Sequence, residues 1–371
     1  MKKMIVVLVL LGLACSNSTK LAGLFKPGAE PTFTAEPLAT EMLLPIATLP
    51  PSSTIAPPVI GVQNAGQIVK TGEMQTALVR RVVFSPDSKN YATAEGNDND
   101  YGVHVWQSGD GSLQKTLLGF TGIVWDLAYS PDGNFIATAA NDANQQHIRI
   151  WDLENDTLLV ILNGPHYTNS IAFSRDGRLM AVGGADSAMQ GTILIYDTNT
   201  WIVKQELAAP GQNVLALVFT PENDHLISSG TDGRIRLWSL AEGSATSMMS
   251  PGIQANQLAL SPDGSLLASS FCSKTAINGC SEGGAVVWRT TDWTILQRFD
   301  DLAEDLVFSP DGSLLITGSG VNDPLVRIRR TLDWGLIRTL PVLGTTVSIS
   351  PDSRILITTD YELITRWEVK P

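Results

Sequence analysis

The sequence predicts an all-β chain, a seven-bladed β-propeller of four-stranded antiparallel blades whose ring is closed by an N-terminal strand. Three observations predict it. The first is a repeat: from residue 78 onward, short alternating apolar runs end in Ser or Thr at Ser85, Ser130, Ser174, Thr220, Ser261, Ser309 and Ser350, at spacings of 45, 44, 46, 41, 48 and 41. A period in the low to middle forties with four short strands per unit is that of a propeller blade. The second is the turn after each anchor. Pro131, Pro262 and Pro310 preset φ, Asp132, Asp263 and Asp311 cap the turn, and Gly133, Gly264 and Gly312 accept positive φ. Arg175-Asp176-Gly177, Pro221-Glu222-Asn223 and two Pro-Asp-Ser turns are variants. The third is the end of each unit's third run, at Trp106, Trp151, Tyr196, Trp238, Trp288, Arg329 and Trp367, aromatic in six of seven and preceded by period-two runs such as Ile148-Arg149-Ile150.

Composition agrees. The 371 residues are 43% apolar and 17% charged, with 32 Gly and 20 Pro that favour turns over long helices, so a helical bundle is excluded. The length would allow two or three domains, but a sustained repeat makes one long repeat domain the better reading. The formal charge of -12 divides into a near-neutral first 73 residues and a remainder with 20 basic and 33 acidic groups. Such a field repels phosphate backbones and excludes a nucleic-acid partner.

In chain order, residues 1–14 read as an export signal: Lys2 and Lys3, then an apolar run from Met4 to Ala14. In a helix that run rises only about 16 Å, short of a hydrocarbon core of roughly 30 Å, so cleavage is expected and not a permanent span. The run Leu11-Gly12-Leu13-Ala14-Cys15 resembles the lipobox of bacterial lipoproteins, with Gly12 where a branched apolar residue is usual. The resemblance implies acylation of Cys15 and a membrane-anchored protein of the bacterial cell envelope; the alternative is an ordinary secretory signal and a secreted protein. Residues 15–64 form a Pro/Thr-rich tether, 16–64 holding 8 of the 20 prolines and six threonines, with too little apolar surface to offset ordering entropy.

Residues 65–371 form the propeller. After Trp367 only four residues remain, so the last unit lacks a fourth strand, and the segment from Gly66 to Thr71 lies where one would be supplied. Trp201, Trp293 and Trp334, each five residues past a third-strand end, are read as packing between blades. On the repeat and its aromatic closures this region resembles the WD-repeat family. Trp151-Asp152 keeps the literal Trp-Asp pair, Gly119-Phe120 stands where Gly-His would be, and Asp232, with Asp142, Asp186 and Asp323 more loosely, matches the family's turn Asp. The Asp-His-Ser-Trp network of the family is therefore incomplete, and blade rigidity is expected to rest more on packing.

Residues five and four before each anchor begin the inner strands: Arg80/Arg81, Trp125/Asp126, Asn169/Ser170, Leu215/Ala216, Asn256/Gln257, Glu304/Asp305 and Thr345/Thr346. They vary and are mostly polar, whereas residues three and one before the anchor are apolar in every unit. The resemblance implies partner contacts on this face, around the channel mouth. Arg80, Arg81, Trp125, Asp126, Asn169, Asn256, Glu304 and Thr345 are the candidate rim, Trp and Arg being enriched in binding hot spots; a solvated rim is the alternative.

No catalytic constellation, metal site or cofactor is expected. His104, His147, His166 and His225 fall in different repeat phases, and His147 and His166 near Asp142 lack a fixed ligand spacing. The Asn97-Asp98-Asn99-Asp100 run reads as a polar hairpin turn. Cys272 and Cys280 bracket the longest insertion, with 27 residues between Ser261 and Trp288 against 17 to 22 in other units, and are read as a disulfide permitted by export. The function expected is a monomeric protein-interaction or scaffolding module with an unknown protein partner. The alternative is an enzyme or sensor that takes a small molecule or glycan at the channel mouth.

Overall fold

The computed structural model describes residues 58–97, 100–142, 148–209, 211, 213–249, 252–276 and 279–370. The export signal, Cys15 and most of the tether lie outside them. Among the described residues, 28 strands form seven four-stranded antiparallel sheets. The blades are numbered I to VII, with strands a (inner) to d (outer). The a strands are Val79–Phe84, Val124–Tyr129, Tyr167–Phe173, Val214–Phe219, Gln254–Leu260, Asp305–Phe308 and Thr346–Ile349, and each touches the next in a closed circuit.

The anchor hydroxyl makes the a–b turn. Ser130 Oγ donates to Asp132 (2.6 Å) and accepts the Phe135 amide (2.9 Å), so one side chain satisfies the backbone that the turn releases. The Ser-to-carboxylate bond recurs from Ser85, Ser174, Ser261, Ser309 and Ser350, and Thr220 makes it to Asp224. The third residue after each anchor is left-handed in all seven blades. Gly133, Gly177, Gly264 and Gly312 take it, and so do Ser88, Asn223 and Ser353.

Strand b is buried on both faces, as in Phe135–Ala140 and Leu314–Gly318, because each blade packs between two others. That sandwich favours small residues. A Cβ on Gly183 would come within 2.7 Å of Val214 Cγ1 of the following blade. Seven apolar clusters result, one per blade interface; that between I and II joins Ala94 and Val105 to Leu127 and Ile136.

Trp201, Trp293 and Trp334 pack into these clusters, with Trp201 edge-on to Phe135 at 6.1 Å and Trp334 edge-on to Phe299 at 6.2 Å. They stand in the c–d turn just before strand d, at φ of 55°, 57° and 60°. The equivalent Gly111, Asp156 and Gly243 are left-handed too, so the turn imposes the conformation and interblade packing holds it for the bulky indoles.

The ring closes with Ile68–Gln75, which pairs with Leu363–Val369 as strand d of blade VII, Ile68 opposite Val369. The strand begins two residues later than the sequence indicates, because Ala65–Gln67 forms a single 3-10 turn. The packed region also reaches further back: Ile60 is wholly buried with Ala65 and Ile68 in the VI–VII core, and its amide donates to the Ser353 carbonyl (2.6 Å).

Deleting 65–75 exposes the edge of Leu363–Val369 and the VI–VII core, and is expected to lower the melting temperature by on the order of 10 °C or more. Deleting 20–55 is expected to leave it within about 2 °C. Calorimetry on both deletions checks the difference; equal shifts would remove the closing role from this strand.

Candidate functional site: the channel mouth

Every blade helps to line a cavity of about 550 Å³ at one end of the channel, through Arg80, Trp125, Asn169, Leu215, Asn256, Glu304 and Thr345 among others. A backbone irregularity aims them there. In blades I to IV the a–b register skips one residue, between Val79 and Arg81, Val124 and Asp126, Thr168 and Ser170, and Val214 and Ala216, so the bulged residue is Arg80, Trp125, Asn169 or Leu215. Blade V skips Asn256 and Gln257 together. Glu304 and Thr345 immediately precede their a strands. A bulge turns its extra side chain out of the alternation, here toward the mouth.

The cation and the indole meet. The Arg80 guanidinium carbon lies 4.6 Å from the centre of the Trp125 ring, and Trp125 is 37% exposed. Arg80 Nε is buried without a hydrogen-bond partner. Burial lowers the guanidinium's pKa, an effect opposed by the phenols of Tyr361 and Tyr101, and an arginine remains charged regardless. Tyr361, from the b–c turn of blade VII, also lines the mouth and had no sequence signal, since it lies outside the aligned inner-strand positions. Burial raises the Glu304 carboxyl above its ordinary range, the Asp305 charge adds to the rise, and the Gly320 amide that donates to it lessens it. Asn169 is already engaged, its amide donating to Asn213 Oδ1 (2.6 Å) and the Val214 carbonyl (3.0 Å) of the next blade. Thr345 Oγ1 donates to the Thr359 carbonyl (3.1 Å).

Arg81 and Asp126, read from sequence with the rim, lie apart from it. Strand alternation sends Arg81 into the channel, where Nε is 3.1 Å from Asp126 of blade II and Nη1 is 3.5 Å from Asp305 of blade VI. Burial works against the guanidinium's charge, but the two carboxylates outweigh it and hold the pKa above its ordinary value. Asp126 Oδ2 accepts the Ile171 amide of blade III (2.9 Å), and Asp305 Oδ2 accepts the Val347 amide of blade VII (3.0 Å). One arginine and two carboxylates thereby link five blades, and both Asp side chains are consumed in bracing.

The blades also carry polar stitching beside the packing. Trp106, Trp238 and Trp367 donate Nε1 to Thr93, Ser228 and Thr358 of strand b at 2.8 to 2.9 Å. In three blades an arginine two before the c-strand aromatic position reaches the Asp of the b–c turn. Arg149 pairs with Asp142, Arg236 with Asp232 (2.7 Å) and Arg327 with Asp323 (2.7 Å). The signal was present in Ile148-Arg149-Ile150 and Ile235-Arg236-Leu237, as a charge at an inward-facing position. Asp186 instead accepts the Ala188 and Gln190 amides of its own turn.

On the mouth face, blade V extends past its neighbours. Gln254 at the start of its a strand faces Cys272, so the rest of Leu266–Ala276 and the start of Gly279–Arg289 project beyond it. Cys272 and Cys280 are joined by a disulfide there, Cα–Cα 5.7 Å, and Asn322 of blade VI donates to the Cys280 carbonyl (2.8 Å). His147 lies outside the described residues, as do Asp98 and Asn99, while Asn97 and Asp100 face each other in the b–c hairpin. His166 stacks edge-on against Tyr167 at 4.6 Å, His104 lies 3.5 Å from Glu95, and His225 lies 2.9 Å from Asp224. Among the described residues no group of three His, Cys, Asp or Glu is placed to hold a metal.

Residues 111–152, 157–197 and 202–239 match the WD domain, G-beta repeat. Each matched stretch runs from strand d of one blade through strand c of the next, the same offset that makes the ring close with an N-terminal strand d. The chain is 27% identical over 143 residues to the Target of rapamycin complex subunit wat1 of Schizosaccharomyces pombe, covering 37% of this chain and 41% of that protein. It is 29% identical over 149 residues to the Small ribosomal subunit protein RACK1y of Oryza sativa subsp. japonica, covering 38% and 40%. The match thus spans about two-fifths of the length of these curated relatives.

Arg81→Met leaves Asp126 and Asp305 in the channel without their cation and is expected to cost about 3–5 kcal/mol of stability. Trp125→Ala, at a half-open site, is expected to cost under about 1.5 kcal/mol. Denaturant unfolding of the two variants checks the order, and a reversed order would make Trp125 the core residue.

Proposed function

We propose that this protein is a lipid-anchored WD-repeat propeller of the bacterial cell envelope that works as a protein-interaction module, docking a partner on the channel mouth and acting by binding without catalysis. The observation that carries the reading is the mouth itself, to which every blade contributes and where Arg80 and the exposed Trp125 stand together. Rigid aromatic and arginine anchors amid polar neighbours are the composition of binding hot spots. The stapled hairpin of blade V offers a second wall on the same face. The names of both relatives place them in assemblies, one a complex subunit and the other a ribosomal subunit protein, which accords with a binding role. Residues 15–57, ahead of the segment that packs through Ile60, would serve as the tether that holds the propeller away from the membrane, at up to about 3 Å per residue.

A second reading has one observation in its favour. Glu304, raised by burial at the mouth, is the kind of carboxyl that a propeller enzyme or sensor for a small molecule or glycan would use.

Affinity capture from envelope extracts tests the docking reading. Trp125→Ala and Asn256→Ala are expected to weaken recovery of a specific partner at least about ten-fold with melting temperatures within a few degrees of wild type. Recovery unaffected by either variant would move the partner off the mouth, and dependence on Glu304→Gln alone, with turnover or binding of a small solute, would favour the second reading.

Anchoring has its own test. Cys15→Ser is expected to leave the precursor uncleaved or release the protein from membranes, with loss of metabolically labelled fatty acid. Membrane retention of the variant together with an unlabelled wild type would refute the anchor.

A further inference from the structure

Arg80 differs from the other arginines of the propeller. Among the described residues, every other buried or half-buried arginine has an acceptor: carboxylates for Arg81, Arg149, Arg236, Arg327, Arg329, Arg330, Arg354 and Arg366, and the Gly66 carbonyl for Arg338. Arg80 has none. Its guanidinium lies over Trp125, its Nε is buried without a partner, and Glu304 in the same cavity is turned instead onto the Gly320 amide. The stack fixes the plane of the fork and, with Nε buried, leaves the Nη1/Nη2 end, which can match a carboxylate in bidentate fashion, as its unused hydrogen-bonding groups.

We propose that the Arg80–Trp125 pair is the receptor for one Asp or Glu side chain of a protein partner, seated in the channel mouth. This rests on the docking reading above and narrows it to a partner chemistry. Partial burial at the mouth strengthens a single ion pair over one at the open surface. From residue 74 on, the chain carries 33 acidic groups against 20 basic, so a generally acidic segment is repelled. A single carboxylate delivered to Arg80 is accepted, and Glu304, 224 positions along the chain but in the same cavity, disfavours a second and favours a donor beside it. Specificity therefore comes from one attraction inside a repulsive frame.

The test is selection of a random phage-displayed peptide library on the intact propeller, followed by affinity measurement of the enriched peptides against wild type, Arg80→Gln and Asn256→Ala. The enriched peptides are expected to share an Asp or Glu. Changing that residue to its amide should weaken binding to wild type about ten-fold and leave binding to Arg80→Gln unchanged, as a bidentate charged pair requires. Arg80→Gln should keep the wild-type melting temperature. Peptides that lose affinity to Asn256→Ala but are indifferent to their own carboxylate and to Arg80→Gln would overturn the carboxylate receptor while leaving the mouth as the docking site. Peptides indifferent to both variants, or a library that yields no enrichment, would overturn the docking reading and this inference with it.

Discussion

Everything in this propeller depends on one antiparallel pairing, that of Ile68–Gln75 with Leu363–Val369. Each blade buries its second strand against both neighbours, so an open end would leave one blade with an unpaired edge and an uncovered apolar face. Pairing the first strand of the propeller with its last removes both at once. The burial of Ile60 and Ile68 between blades VI and VII shows that closure is a packing event as well as a hydrogen-bonded one.

A closed ring creates a second constraint, the convergence of seven inner strands on a narrow channel. Polar groups directed into that channel must find partners there. Arg81 satisfies Asp126 and Asp305, which in turn accept amides from blades III and VII. The charges are locked in place, and the mouth above them becomes a rigid platform. On the proposed docking role, rigidity would favour recognition, because a preorganised indole and guanidinium lose little freedom on binding. The bulges that aim Arg80 and Trp125 outward are what separate the mouth from the brace, although the two sets of residues are adjacent in sequence.

The blades keep one geometry with varied polar contacts. In blades IV and VI an arginine on strand c reaches the turn Asp, and at the end of strand c in blade VI Arg329 lies over Phe299 at 4.4 Å and pairs with Asp301. The geometry of strand, turn and interblade core is retained because it depends on a strand b buried on both faces and on a hydroxyl-to-carboxylate bond at the a–b turn, both of which recur in all seven blades.

By itself the sequence determined what depends on local chemistry and period. The seven anchors, their turns, the left-handed third positions at Gly133 and Gly264, the aromatic closures and the missing last strand are all set by residues within a few positions of one another, and they were legible. The paired residues at the start of each inner strand were legible as a variable ring, but not as two rings with different fates. That division needs the skipped register positions that turn Arg80 and Trp125 to the mouth while Arg81 and Asp126 enter the channel. It also needs Asp305, 224 positions from Arg81, brought within ion-pair distance by closure of the circle. A bulge is one extra residue defined only against a partner strand, and a cross-channel pair is defined only once the ring is shut, so tertiary structure alone could decide which charges face the mouth and which brace the channel.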